Sequence, residues 1–139
     1  MNHLTSTLFT AVVLLASCNS RESKVAAEKE SYQKAQEILE QKEKKNPVAF
    51  LSVASRDKHN LLGQTVTTGT VTNNAKVCIY KDVQIELSYY SKTGTRLLTT
   101  NETVYEKIAP GHSADFKTKE FAPKGADSVA IKIIGARTN

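Results

Sequence analysis

Two cysteines, three histidines and fourteen Asp or Glu residues are the side chains from which this 139-residue chain would have to build reactive chemistry. Their spacing decides how much is available. His59 follows Asp57 by two residues and His112 comes directly after Pro110-Gly111, both in expected loops. A zinc site needs three or four converging donors, which an isolated Asp-x-His does not supply, so neither a metal nor another cofactor is expected. The carboxylates are scattered without a pair marked out for glycoside hydrolysis, and no G-x-S-x-G elbow or Gly-rich phosphate loop occurs. The expectation is a chain with no catalytic residues; an enzyme would require Asp57, His59 and a second acid to converge. Cys78 lies near the start of an expected strand, one position out of phase with Val83 and Ile85, which leaves a buried inert thiol and an exposed one both open. Cys18 differs from all of these because of what precedes it.

Residues 8 to 16 read Leu-Phe-Thr-Ala-Val-Val-Leu-Leu-Ala, an apolar run short of the ~20 residues a spanning helix needs and suited to the core of an export signal. Leu15-Ala16-Ser17-Cys18 then resembles the bacterial lipobox: an aliphatic residue, two small residues and a cysteine. Small residues let the extended backbone enter a peptidase cleft, and a thiol is nucleophilic enough to accept a diacylglyceryl group. The resemblance implies a signal peptide over 1–17, cleavage before Cys18 and lipidation of that thiol. Two or three acyl chains of palmitate type, at about 0.8 kcal/mol per buried methylene, give long-lived attachment where one chain would not. The leader Met-Asn-His-Leu-Thr-Ser-Thr has no Lys or Arg, so its positive charge comes from the amino terminus with His3.

Residues 18–46 read as the lipid anchor and a charged stalk. From Arg21 to Lys45 there is no Gly or Pro and an abundance of strong helix formers. Asn19 with Glu22 suits a cap, Glu30 with Lys34 and Glu40 with Lys44 are favourable pairs four apart, and Asn46-Pro47 ends the helix. Val25, Tyr32 and Leu39 recur every seven residues, but Glu28, Ala35 and Lys42 interrupt the seam, too thin a stripe for a coiled coil. A spacer of up to about 37 Å is expected, at ~1.5 Å per helical residue.

From Val48 the apolar period changes from helical to alternating. Strands are expected near Ala49 to Arg56, Gln64 to Thr72, Cys78 to Tyr90, Arg96 to Ile108, Ser113 to Phe121 and Ser128 to Ile134. In the third, Val83, Ile85, Leu87 and Tyr89 point to one side while Asp82, Gln84, Glu86 and Ser88 point to the other, so one face is buried. Val129, Ile131 and Ile133 repeat the pattern in the last strand. Ser91-Lys92-Thr93-Gly94 and Ala109-Pro110-Gly111 read as turns. Residues 47–139 are therefore expected to form an all-β domain, an antiparallel β-sandwich of six to seven strands behind the helix.

Across roughly Ala49 to Gly135, the run Gly69-Thr-Val-Thr-Asn-Asn74, then Tyr80-Lys-Asp-Val-Gln-Ile-Glu-Leu-Ser-Tyr-Tyr90, Gly94, and Ile108-Ala-Pro-Gly111 before Phe116 resembles the FxLYD-type domains of bacterial lipoproteins. Ser91 departs from that family's pattern, standing where an acidic residue is usual. The resemblance implies an immunoglobulin-like or fibronectin-III-like fold in an envelope protein and carries over no catalytic residue.

The formal charge is +5, and after Pro47 twelve Lys or Arg alternate with eight Asp or Glu among threonines. A nucleic-acid binder gathers its basic residues on one face among stacking aromatics, so no nucleic-acid partner is expected. Tyr80 and Tyr90, if they share an exposed face, form the candidate interaction surface. Asp127-Ser128-Val129 resembles an O-glycosylation acceptor, which makes Ser128 a candidate modification site. The expectation is an exported protein, lipid-anchored through Cys18 to an envelope membrane, the outer membrane first, whose sandwich is a non-enzymatic structural or protein-interaction module. The alternative is a glycan- or peptide-binding component of a larger envelope complex.

Overall fold

The structure, a computed structural model, describes the backbone of residues 19–59 and 65–139 and the side chains of residues 24–56 and 65–139. The export signal and Cys18 lie outside the described residues, as do the side chains of Asn19, Glu22, Asp57 and His59. Two compact units divide the chain, Met1–Ala35 and Gln36–Asn139.

Helix α1 spans Asn19–Lys45. Within the first unit its described side chains are all exposed, Val25 and Tyr32 among them at 64% and 65%, so the seven-residue stripe is left uncovered there. The helix stops at Lys45 because a residue before proline is driven out of the α region: Asn46 has φ −138° and ψ 69°. Pro47, at the first position of a turn, then starts a 3-10 turn over Pro47–Phe50, and the first strand opens at Leu51 rather than at Ala49. The second unit takes in the last turns of α1, which the sequence reading had assigned to the stalk.

Six strands follow: β1 Leu51–His59, β2 Thr65–Asn73, β3 Tyr80–Ser91, β4 Arg96–Val104, β5 Ser113–Lys117 and β6 Ala126–Thr138. They form two antiparallel three-stranded sheets, ordered β1-β2-β5 and β4-β3-β6. This is the expected all-β sandwich with a preceding helix. Two expected strands are shorter. The fourth ends at Val104, and Ile108 instead makes an isolated bridge with Tyr80 through bonds of 3.1 and 2.8 Å. The fifth ends at Lys117. The last is longer, reaching Thr138 along β3.

The core lies between the sheets and is built from Val71, Val83, Ile85, Leu87, Tyr89, Val104, Ile108, Ala114 and Phe116, with Val129, Ile131 and Ile133 of β6 packed against it. The alternation expected for β3 holds from Val83 to Tyr89 except that Ser88, expected outward, is also buried. It breaks upstream: Asp82 has φ 49°, and the β3–β6 register shifts between Lys81 and Gln84. Asp tolerates this left-handed conformation better than most residues. The bulge inserts one residue into the count, so Tyr80 and Cys78, out of phase with Val83 on paper, both turn inward.

The G-x-V-x-N strand end now has a reason at each position. Val71 is fully buried. Gly69 is paired with Phe116, and a Cβ there would come within 2.6 Å of the Phe116 ring and 2.4 Å of the Ala54 carbonyl oxygen. We expect Gly69→Ala to lower stability by about 1 to 3 kcal/mol through overpacking, measured by thermal unfolding; a variant as stable as the parent would show that the ring moves aside freely. Asn73, also fully buried, donates Nδ2 to the carbonyls of Cys78 (2.9 Å) and Ile108 (2.8 Å), and its Oδ1 accepts from the Ala75 amide (2.9 Å). Its main chain accepts from the Gly111 amide and donates to the His112 carbonyl. One amide side chain thus holds two loops to the end of β2.

Candidate functional site

The most deeply buried charge among the described residues is one that the sequence gives no reason to single out. Glu43, in the last turn of α1, is 0% exposed, and its carboxylate accepts from three successive amides: Lys76 (2.7 Å), Val77 (3.0 Å) and Cys78 (2.8 Å). Such a row of N–H groups is an anion-binding concavity, here filled by the chain's own helix. Burial alone pushes the carboxyl up, but the three donors outweigh it and hold Glu43 below the usual carboxylate value. The Tyr80 hydroxyl donates to the Glu43 carbonyl at 3.0 Å, and burial, with Cys78 and Glu43 nearby, pushes the phenol up to about 12. Glu40 and Lys44 form the expected ion pair one turn away.

Cys78 is buried, 5% exposed, with Sγ donating to the Glu40 carbonyl at 3.6 Å. Burial and then the Glu43 charge raise its thiol above the ordinary value, the opposite of what a reactive thiolate needs. We expect a Cys18→Ala chain to label with a thiol reagent far more slowly when folded than in denaturant. Equal rates would place Cys78 at the surface.

These positions correct the candidate aromatic surface. Tyr80 is 0% exposed and belongs to the core, because the Asp82 bulge reverses its side; it does not share an open face with Tyr90. Tyr90 is half-buried between Arg96 of β4 and Ser128 of β6. The most exposed aromatic ring after the sandwich begins is Tyr105, at 70%. Ser128 is exposed near the start of β6. His112 is exposed, with Nδ1 3.1 Å from the Pro110 carbonyl. Among the described residues, no three of His, Cys, Asp and Glu gather as a metal site, and no helix is long and apolar enough to cross a membrane.

A cleft of about 560 Å³ lies on the outward face of the β1-β2-β5 sheet. Strand register explains it. In the cross-strand row Ser55, Gly69, Phe116, the Phe116 ring belongs to the core and Gly69 carries no side chain, which leaves backbone as the floor. The next rows on either side are the walls: Ala54, Thr70 and Asp115 on one, Arg56, Thr68 and Lys117 on the other. Rows two residues apart are separated by ~6.7 Å, and three strands span ~10 Å. Thr70 donates to Asp115 Oδ1 at 2.7 Å, and Thr68 donates to the Arg56 carbonyl at 3.2 Å. Arg56 and Lys117 make no ion pair among the described residues. Neither this groove nor Glu43 was visible in the sequence. The groove emerges only once β1, β2 and β5 are known to be neighbours.

No protein-family model matches the chain, and no curated protein does. Among solved structures, the Salmonella enterica trimeric lipoprotein SadB is similar at a TM-score of 0.45 and 14% identity, over 84% of this chain and 75% of that one. The likeness is partial and leaves function to be argued from this chain's own residues.

Proposed function

We propose that the chain is exported and anchored through lipidated Cys18 to a membrane of the cell envelope, the outer membrane first, and that its sandwich acts there as a non-enzymatic structural or protein-interaction module. The observation that supports a framework role is where the buried polar groups are spent. Glu43, Asn73 and Tyr80 are bonded to main-chain groups that hold a helix end and two loops in place. Among the described residues no buried side-chain nitrogen or oxygen lacks a partner.

The test is a comparison of the parent with Cys18→Ala. The expected result is a parent that sediments with membranes and carries an acylated cysteine as its first residue by mass spectrometry, and a variant that is exported but not membrane-bound. A parent found in the cytosol with its leader intact and unmodified would overturn the reading. A second reading, a glycan- or peptide-binding component of a larger envelope complex, is favoured by one specific feature, the polar groove on the β1-β2-β5 sheet.

A further inference from the structure

We propose that the cross-strand groove between Arg56, Thr68 and Lys117 on one side and Ala54, Thr70 and Asp115 on the other binds an acidic oligosaccharide, a short run of sugars carrying carboxylate groups. The inference rests on the second reading above and names its ligand class.

Four observations carry it. The floor is backbone of Ser55, Gly69 and Phe116, with Gly69 on the central strand and its neighbours paired to it on both sides. A peptide lying there would find little free main chain to pair with, so recognition falls to side chains. Those side chains are hydroxyls, one carboxylate and two cations. Asp115 accepts a hydrogen bond from the Thr70 hydroxyl on Oδ1 and keeps the other oxygen to accept from sugar hydroxyls, while Thr68 and Thr70 keep acceptor lone pairs. Arg56 and Lys117 stand on one wall, exposed and without an ion pair among the described residues, and with Thr68 of β2 between them they supply charge complementarity to carboxylates about 10 Å apart. No outward side chain of the groove is aromatic, so stacking is not on offer and charge has to carry the affinity. Ala54 opposite Arg56 keeps the trough open, and the volume of about 560 Å³ falls within the ~300–1,000 Å³ typical of small-ligand sites.

The probe is tetragalacturonate, titrated into the purified full-length chain in non-ionic detergent, with its methyl-esterified counterpart, inorganic phosphate and anionic phosphatidylglycerol vesicles in parallel. Calorimetry gives affinity and amide NMR the location. The expected result is saturable binding of the acid that moves the Thr68, Thr70 and Asp115 amides, at least tenfold weaker binding of the ester, and weakening with salt. The double variant Arg56→Gln/Lys117→Gln should lose at least tenfold while unfolding at the parent temperature. Ala54→Gln, which narrows the trough and removes no charge, should lose affinity as well. No binding at millimolar acid, binding unchanged in both variants, or phosphate binding as tightly as the sugar would overturn the proposal. So would groove-dependent capture by vesicles without binding of the sugar. Membrane fractionation of the parent reads the anchor separately, so failure here leaves the Cys18 reading standing.

Discussion

Glu43→Ala lowers the stability of the sandwich by about 3 to 5 kcal/mol, measured by denaturant unfolding of the full chain. The expectation follows from what the substitution strands. Three amides of residues 76–78 lose their shared acceptor, that of Cys78 in a buried setting and those of Lys76 and Val77 in a part-buried one, and a buried unsatisfied donor costs ~1 to 3 kcal/mol. Loss of the anion also releases the turn of α1 to which the Tyr80 hydroxyl is bonded. Glu43→Gln does little better, since an amide offers one acceptor oxygen and turns an NH2 group towards donors. The same site shapes the pH profile. Because the folded-state pKa lies below the ordinary 4.5, the stabilisation is present above pH ~4.5 and drains away as pH falls through the lowered folded value. The Gln variant should lack that acid limb. A change under about 1 kcal/mol together with an unaltered acid limb would refute the clamp. At the alkaline end Tyr80 acts in the opposite sense: raised to about 12, it contributes stability in full below pH ~10 that is lost as pH climbs through its folded value.

Asn73→Ala has a comparable expected effect, about 3 to 5 kcal/mol, for a different reason. The side chain donates twice and accepts once in a fully buried position. Its removal leaves the carbonyl of Cys78 and the amide of Ala75 without that partner, takes one of two donors from the Ile108 carbonyl, which keeps the Tyr80 amide, and opens a void. Asn73→Asp distinguishes hydrogen bonding from packing, because it conserves volume. Its ionised form can accept from Ala75 but meets two carbonyl oxygens, so at neutral pH it should be no more stable than the alanine variant. An Asp variant close to the parent would show that shape alone matters there.

Much of the sandwich could be read in advance because sheets with one covered face advertise it residue by residue. Val83, Ile85, Leu87 and Tyr89 are buried as their alternation required, and Val129, Ile131 and Ile133 line the opposing row. What escaped was whatever depends on a local exception or on distant neighbours. Asp82 is an ordinary outward-facing strand residue on paper, yet its left-handed backbone sends Tyr80 and Cys78 inward. Glu43 sits in a run of lysines and glutamates where every carboxylate looks solvated, and its three partners lie over thirty positions away. Arg56 and Lys117 belong to opposite outer strands of one sheet, brought to the same row only through Thr68 of the strand between them.

The kink at Asp82 also bears on how this chain should be lined up with others. Strand β3 behaves as two stretches of opposite parity: inward residues carry even numbers through Tyr80 and odd numbers from Val83 onward. A comparison that imposes one uniform two-residue repeat across the strand will set Tyr80 against surface positions, while one that admits a single extra residue near 82 will match cores. For the same reason, deleting one residue between Lys81 and Val83 should be tolerated better than a deletion between Ile85 and Tyr89, where half the strand would be turned inside out.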